Sequence, residues 1–178
     1  MVFQMTAIRW CSSALLFLFT LVTTQIIFAA GSEIPQAQIP RAQITQASDL
    51  AKIARSSQRQ GVPTIVFVSR DACPYCRTLR DSILVPMLAA NKFEQRANLV
   101  EVSLDRLEPL TGFDGEMISV QAFSDRYRTG ITPTLLFLDI DGREISKRRV
   151  GISNQELYSH YLQKSIDEAL AVTRPQAQ

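Results

Sequence analysis

Apolar and polar positions divide the chain into three stretches. From Trp10 to Ala30 nearly every position is apolar or small, and Arg9 is the only charge before Glu33. Residues 34–48 then repeat a degenerate five-residue unit: Ile-Pro-Gln-Ala-Gln, Ile-Pro-Arg-Ala-Gln, Ile-Thr-Gln-Ala-Ser. Beyond Ser48 the spacing is that of ordinary elements. Leu50, Ile53 and Ala54 predict a helix over 49–60 that stops at Gly61. The branched run 62–68 predicts a buried strand. Leu79, Ile83, Met87 and Leu88 predict a helix from Pro74 to about Ala90, kinked or split by Pro86. Residues 99–104 alternate as a one-sided strand, with Leu99, Glu101 and Ser103 set against Val100, Val102 and Leu104. Residues 105–118, with Pro109, Gly112 and Gly115, read as a surface excursion. Val120, Phe123 and Tyr127 mark a short helix over 119–128. Runs 134–140 and 143–150 flank Asp141-Gly142 and predict a hairpin. Ser153 with Glu156 forms a capping box ahead of a last helix bearing Leu157, Tyr161, Leu162, Ile166 and Leu170. This order implies an α/β fold, a mixed sheet with helices on both faces.

Composition separates the first stretch from the rest. Of the first 30 residues 21 are apolar, whereas all 17 acidic and 18 of the 19 basic residues come later. A basic start, an apolar run and terminal small residues read as a signal peptide. Ile27 or Phe28 stands where a cleavage site wants a small residue, and residues 10–30 are long enough to span a bilayer. Residues 1–30 are therefore expected to be a signal peptide or an N-terminal membrane anchor, and either exports the rest of the chain. Residues 31–47 are expected to be a flexible tether, with a strand along the domain edge as the alternative, because Pro35 and Pro40 oppose helix and central strand. Residues 48–172 form one domain, and 173–178 a disordered tail. A net charge of +2 argues against a nucleic-acid binder, and the short run Lys147-Arg148-Arg149 does not change that.

Three cysteines and one histidine limit the chemistry. Cys11 belongs to the targeting segment, which leaves Cys73 and Cys76 in Cys73-Pro74-Tyr75-Cys76, where a strand hands over to a helix. With Cys73 as N-cap, Pro74 takes the first helical position, where its missing N–H costs nothing. Cys76 then falls in the same turn, within disulfide reach. The helix N-terminus favours a thiolate at Cys73, while Cys76 points toward the domain body and is shielded. Cys73 is thus the candidate nucleophile and Cys76 the resolving thiol of a redox disulfide. A structural staple would close too small a loop to gain much. A zinc site lacks ligands, since the exported chain offers one distant histidine, His160.

The sequence resembles the thioredoxin superfamily, in particular the thioredoxin-like thiol–disulfide oxidoreductases of the bacterial cell envelope. The resemblance spans roughly 48–172. It rests on the strand 64–68, the Cys73-Pro74-Tyr75-Cys76 motif, Gly130-Ile131-Thr132-Pro133-Thr134-Leu135-Leu136-Phe137, Asp141-Gly142 and Gly151. It implies a three-layer α/β/α sandwich, a cis bond before Pro133 beside the cysteines, and a Thr132 backbone exposed to pair with a substrate strand. Pro74, Tyr75, Thr132 and Pro133 are accordingly the expected substrate-binding and supporting residues. Pro74 and Tyr75 match the middle residues usual in glutaredoxins. The Gly-Gly element those proteins carry is missing, so glutathione chemistry is not implied. Two positions depart from thioredoxins: Phe67 replaces a buried aspartate and Ala72 a tryptophan. Proton transfer at Cys76 then needs another route, through water or Thr132.

The resemblance implies exchange with protein thiols and disulfides of the envelope and a membrane redox partner; the export segment adds a periplasmic location, and no cofactor, no metal and a monomer are expected. The direction of exchange is open. A client-holding or soft-metal-delivery module without turnover is the alternative. Arg70, Arg77 and Arg80 surround the motif; a solvated charged face is the reading favoured for them, with support of a Cys73 thiolate by Arg77 as the alternative.

Overall fold

The computed structural model describes residues 42–174, so residues 1–41 and 175–178, with the signal-or-anchor segment, most of the tether and most of the tail, lie outside the described part. Strand β2 (Thr64–Ser69) is buried along its whole length and lies at the centre of a five-stranded mixed sheet. It runs parallel to β3 (Asn98–Ser103) and antiparallel to β6 (Thr134–Leu138). On the far side β6 pairs antiparallel with β7 (Glu144–Val150), the edge strand. Side chains alternate between two cores. Ile65, Phe67, Leu135 and Phe137 face one layer, while Val66, Val68, Leu136 and Leu138 face the other.

The first layer holds α2 (Pro74–Leu79), α3 (Val85–Ala89) and the long α5 (Gln155–Thr173). The second holds α1 (Leu50–Gln60) and α4 (Val120–Tyr127). The result is the expected α/β/α sandwich. Gly61 ends α1 in the left-handed conformation, as its place after the apolar pattern predicts. Between α2 and α3 the kink foreseen at Pro86 takes the form of one π-helical turn, Arg80–Leu84. Pro86 has no N–H to give, and its ring would crowd the carbonyl of Ser82. Widening the preceding turn relieves both problems.

Five expectations need correction. The tether ends earlier than residue 47, and its last residues take the edge-strand alternative: Thr45–Gln46 form β1, parallel to the outer edge of β3, and Ala47 donates its N–H to the Glu101 carbonyl at 2.7 Å. An unpaired edge of β3 would leave backbone groups open, and Ile44 and Ala47 also contribute apolar surface to the two cores. That cover makes β3 an interior strand, so it is not one-sided: Glu101 is as buried as Val102 is. The excursion 105–118 is a small hairpin, β4 (Leu110–Thr111) with β5 (Met117–Ile118), anchored by a fully buried Leu110. Its fold-back rests on Gly142, where a Cβ would meet the Tyr127 hydroxyl at 2.6 Å and Phe113 at 2.7 Å. Finally, α5 begins one residue later than the capping box places it. Asn154 accepts the Leu157 N–H at 3.1 Å, leaving Ser153 outside and Glu156 too early to complete the box. At the other end Thr173 is still helical, and Arg174 donates to the carbonyls of Gly61, Gln60 and Gln95, so the tail starts no earlier than 175.

Candidate redox site

Strand β2 ends at Ser69, and a short loop carries the chain to Cys73 at the carboxyl end of the parallel strands. Two anchors set that loop. The Asp105 carboxylate, just beyond β3, accepts the Asp71 N–H at 2.7 Å and pairs with Arg70 at 3.1 Å. Arg77 reaches back from α2 and donates to the Asp71 carbonyl at 3.3 Å. The arginines around the motif are therefore engaged in holding it. Arg77 braces the approach to Cys73 through the Asp71 carbonyl.

Cys73 is the N-cap of α2, with extended backbone, and Pro74 occupies the first helical position. The Cys73 sulfur accepts the Cys76 N–H at 3.1 Å, so a backbone donor of the first turn points at it. Cys73 and Cys76 are joined as a disulfide with Cα atoms 5.2 Å apart. The two sulfurs are unequal in access, since Cys73 retains 8% of its surface and Cys76 none. Tyr75, between them, is 66% exposed.

The cis bond between Thr132 and Pro133 comes from the loop between α4 and β6. Pro133 is buried, and the Thr132 hydroxyl lies 3.6 Å from the Cys73 sulfur. Thr132 thus faces Cys73; no hydrogen bond carries it to Cys76. Ile131, next along the loop, is likewise exposed, at 67%. Cys73, Pro74, Tyr75, Cys76, Thr132 and Pro133 all gather in one place. His160 lies on the exposed part of α5, stacked edge-on against Tyr161, with no part in the site.

Sequence reasoning missed a buried carboxylate. Glu101 stands opposite Phe67 in the β2–β3 register, on the same face, and only 2% of it is exposed. Arg80 and the Ser69 hydroxyl both donate to it, and the Arg80 guanidinium lies 5.5 Å from the Phe67 ring centre. An acid therefore does exist in this layer, one strand away from where thioredoxins carry theirs, and it is already ion-paired. The signal was an acidic residue inside a strand with apolar neighbours on both sides.

A sequence profile of the thioredoxin-like domain matches residues 26–166. No curated protein matches the chain. Among solved structures, the chain is similar to oxidised mitochondrial thioredoxin 3 from Saccharomyces cerevisiae, at 15% identity over 70% of this chain and 94% of that one, with a TM-score of 0.47. It is similar to Trxlp from Edwardsiella tarda at 22% identity, covering 67% of this chain and 98% of that one, with a TM-score of 0.48. It is also similar to a DsbH oxidoreductase at 17% identity, covering 78% and 96%, with a TM-score of 0.49. The profile spans well over half the sequence and includes both cysteines, Thr132 and Pro133. The chain belongs to the thioredoxin-like domain family, and its Cys73–Cys76 pair places it in the general class of thiol–disulfide oxidoreductases.

Proposed function

We propose that the protein is an exported oxidoreductase that exchanges disulfides with proteins of the cell envelope, with Cys73 as nucleophile and Cys76 as resolving thiol. The observation that carries this reading is the asymmetry of the pair. Cys73 is partly open at a helix N-terminus beside the cis-Pro133 turn, and Cys76 is wholly covered. In the reducing direction the Cys73 thiolate attacks a substrate disulfide. An S–S bond forms between Cys73 and one substrate sulfur, and the other substrate sulfur leaves as a thiolate that takes up a proton. The Cys76 thiol then loses its proton and attacks the Cys73 sulfur, which releases the second substrate thiol and leaves the Cys73–Cys76 disulfide. Two electrons pass from the dithiol to the substrate, and the reverse sequence oxidises a substrate dithiol. The Thr132 hydroxyl near Cys73 donates to the sulfur as its charge develops. The flanking Thr132 backbone pairs with the substrate chain.

Export rests on the apolar run behind Arg9. A chain held in an oxidising compartment needs a membrane redox partner to reset it after each reducing cycle. The test is turnover: the purified domain with a chemical dithiol should reduce the interchain disulfides of insulin, and Cys73→Ala and Cys76→Ala should each abolish the catalysed rate. A wild-type rate no faster than the dithiol alone would defeat the reading.

A further inference from the structure

Beside the cis-Pro133 turn, on the same side of the sheet as the disulfide, lies a cavity of about 210 Å³ whose walls include Lys147, Arg149, Gly151, Ser153 and Tyr158. Two contacts set it close to the reacting sulfur. Gly151 donates its N–H to the Pro133 carbonyl at 2.8 Å, and Val150 pairs with Thr134. Tyr158 packs in the same apolar cluster as Cys73 and Cys76.

The walls of this cavity are rich in donors and short of acceptors. Arg149 is held by the Tyr158 and Tyr161 rings, 5.3 and 5.5 Å from its guanidinium, and donates to the Ser165 hydroxyl at 3.3 Å. Its buried Nε faces the equally buried hydroxyl of Tyr158, a residue only 2% exposed, and the phenol proton is left without an acceptor. Burial pushes the Tyr158 phenol up to about 12, so it keeps its proton through the neutral range. Among the described residues neither Lys147 nor Arg149 forms an ion pair, whereas their neighbour Arg148 is paired with Glu144. The start of α5 at Gln155 adds the positive end of a 19-residue helix. A buried donor without an acceptor is costly, and two cations without counter-charges beside it make the missing group an anion.

We propose that this cavity is a carboxylate subsite, which seats an acidic group of the disulfide substrate while the adjoining substrate backbone lies along Thr132. This rests on the exchange reading above and names the substrate class: disulfides flanked by a carboxylate. A planar carboxylate suits the edge of a stacked guanidinium, with Lys147 and the Tyr158 hydroxyl as further donors.

The test compares two short synthetic peptide disulfides that differ only in a glutamate or a glutamine beside the cysteine. The glutamate peptide should show about a tenfold higher kcat/KM, the scale of one charge-assisted hydrogen bond. That ratio should fall toward one in Arg149→Gln, fall partway in Lys147→Gln, and shrink as salt is raised. Lys147 is exposed, so its variant and the salt series decide the matter if Arg149→Gln melts early. A parallel arm with dithiodiglycolate and its diamide separates the sources: a preference seen there assigns the subsite to small disulfides, and one seen only with peptides assigns it to polypeptides. Equal kcat/KM for acid and amide in both arms overturns the proposal. A second readout does not depend on exchange. In the Cys73→Ser, Cys76→Ser protein, the Gly151 amide resonance should shift saturably with the glutamate peptide made with alanine for cysteine, and not with its glutamine counterpart. If that shift is seen while no peptide is turned over, the subsite stands and the exchange reading falls.

Discussion

Cys73 and Cys76 sit three residues apart in one helical turn, and the backbone N–H of Cys76 is aimed at the sulfur of Cys73. A hydrogen bond to a thiolate lowers its pKa, while burial without a partner raises it. Reduced protein should therefore alkylate at Cys73 first, with a pH midpoint below the roughly 8.5 of a free cysteine, and Cys76 should stay unmodified until the protein unfolds. Peptide mapping after a short iodoacetamide pulse reads this directly; equal labelling of the two would contradict it. Glu101 is the other residue on which local chemistry turns. It is buried and accepts from Ser69 and from Arg80, whose side chain stays 30% exposed. Glu101→Gln keeps the shape but leaves the guanidinium without its counter-charge, and should cost about 2 kcal/mol of stability in a denaturant titration. Unchanged stability would mean that Arg80 finds water instead.

At the scale of elements, Tyr127 closes α4 onto the β6–β7 turn. Its hydroxyl donates to the Gly142 carbonyl at 2.8 Å, and its ring packs against Phe113 and Phe123. Burial raises both Tyr127 and Tyr158 from 10.0 to about 12. A phenol whose folded pKa is raised contributes stability below its unfolded pKa and loses it as pH rises through the folded one. The domain should hold its stability up to pH 10.0 and lose it between there and about 12. In that window ultraviolet absorbance should show the exposed tyrosines ionising ahead of the unfolding step. A single transition of all tyrosines near 10.0 would contradict this packing. The larger elements were legible because each carries a period or a stop: Gly61 after α1, Asp141-Gly142 between β6 and β7, Pro74 opening α2. The short ones were not. Two residues, Thr45 and Gln46, hold no period, and their strand exists because β3 offers an open edge. Glu101 read as the solvent side of an alternating strand for the same reason, since the cover over it comes from β1 and the π turn. Ser153 and Asn154 are both good caps, and only the path of the chain out of β7 decides between them.

At the scale of the molecule, the site stands where three separate pieces of chain converge: the β2–α2 junction, the loop beyond β3, and the cis-Pro133 turn. The Cys-Pro-Tyr-Cys motif was visible in sequence as a local pattern, whereas the approach of Thr132 to Cys73, across 59 positions, came from family resemblance alone. Asp105 and the cavity beside Arg149 had no such guide. Because β1 completes the sheet, removing residues 1–47 should lower the thermal midpoint relative to removing residues 1–41. An identical midpoint would return those six residues to the tether. The proposed exchange depends above all on unequal roles for the two sulfurs. The most direct measurement is intact-mass analysis of Cys76→Ala and Cys73→Ala after incubation with an oxidised protein substrate. Cys76→Ala should accumulate a mixed disulfide on Cys73 that a small dithiol releases, and Cys73→Ala should accumulate none. Adducts on both variants alike, or on Cys73→Ala alone, would contradict it.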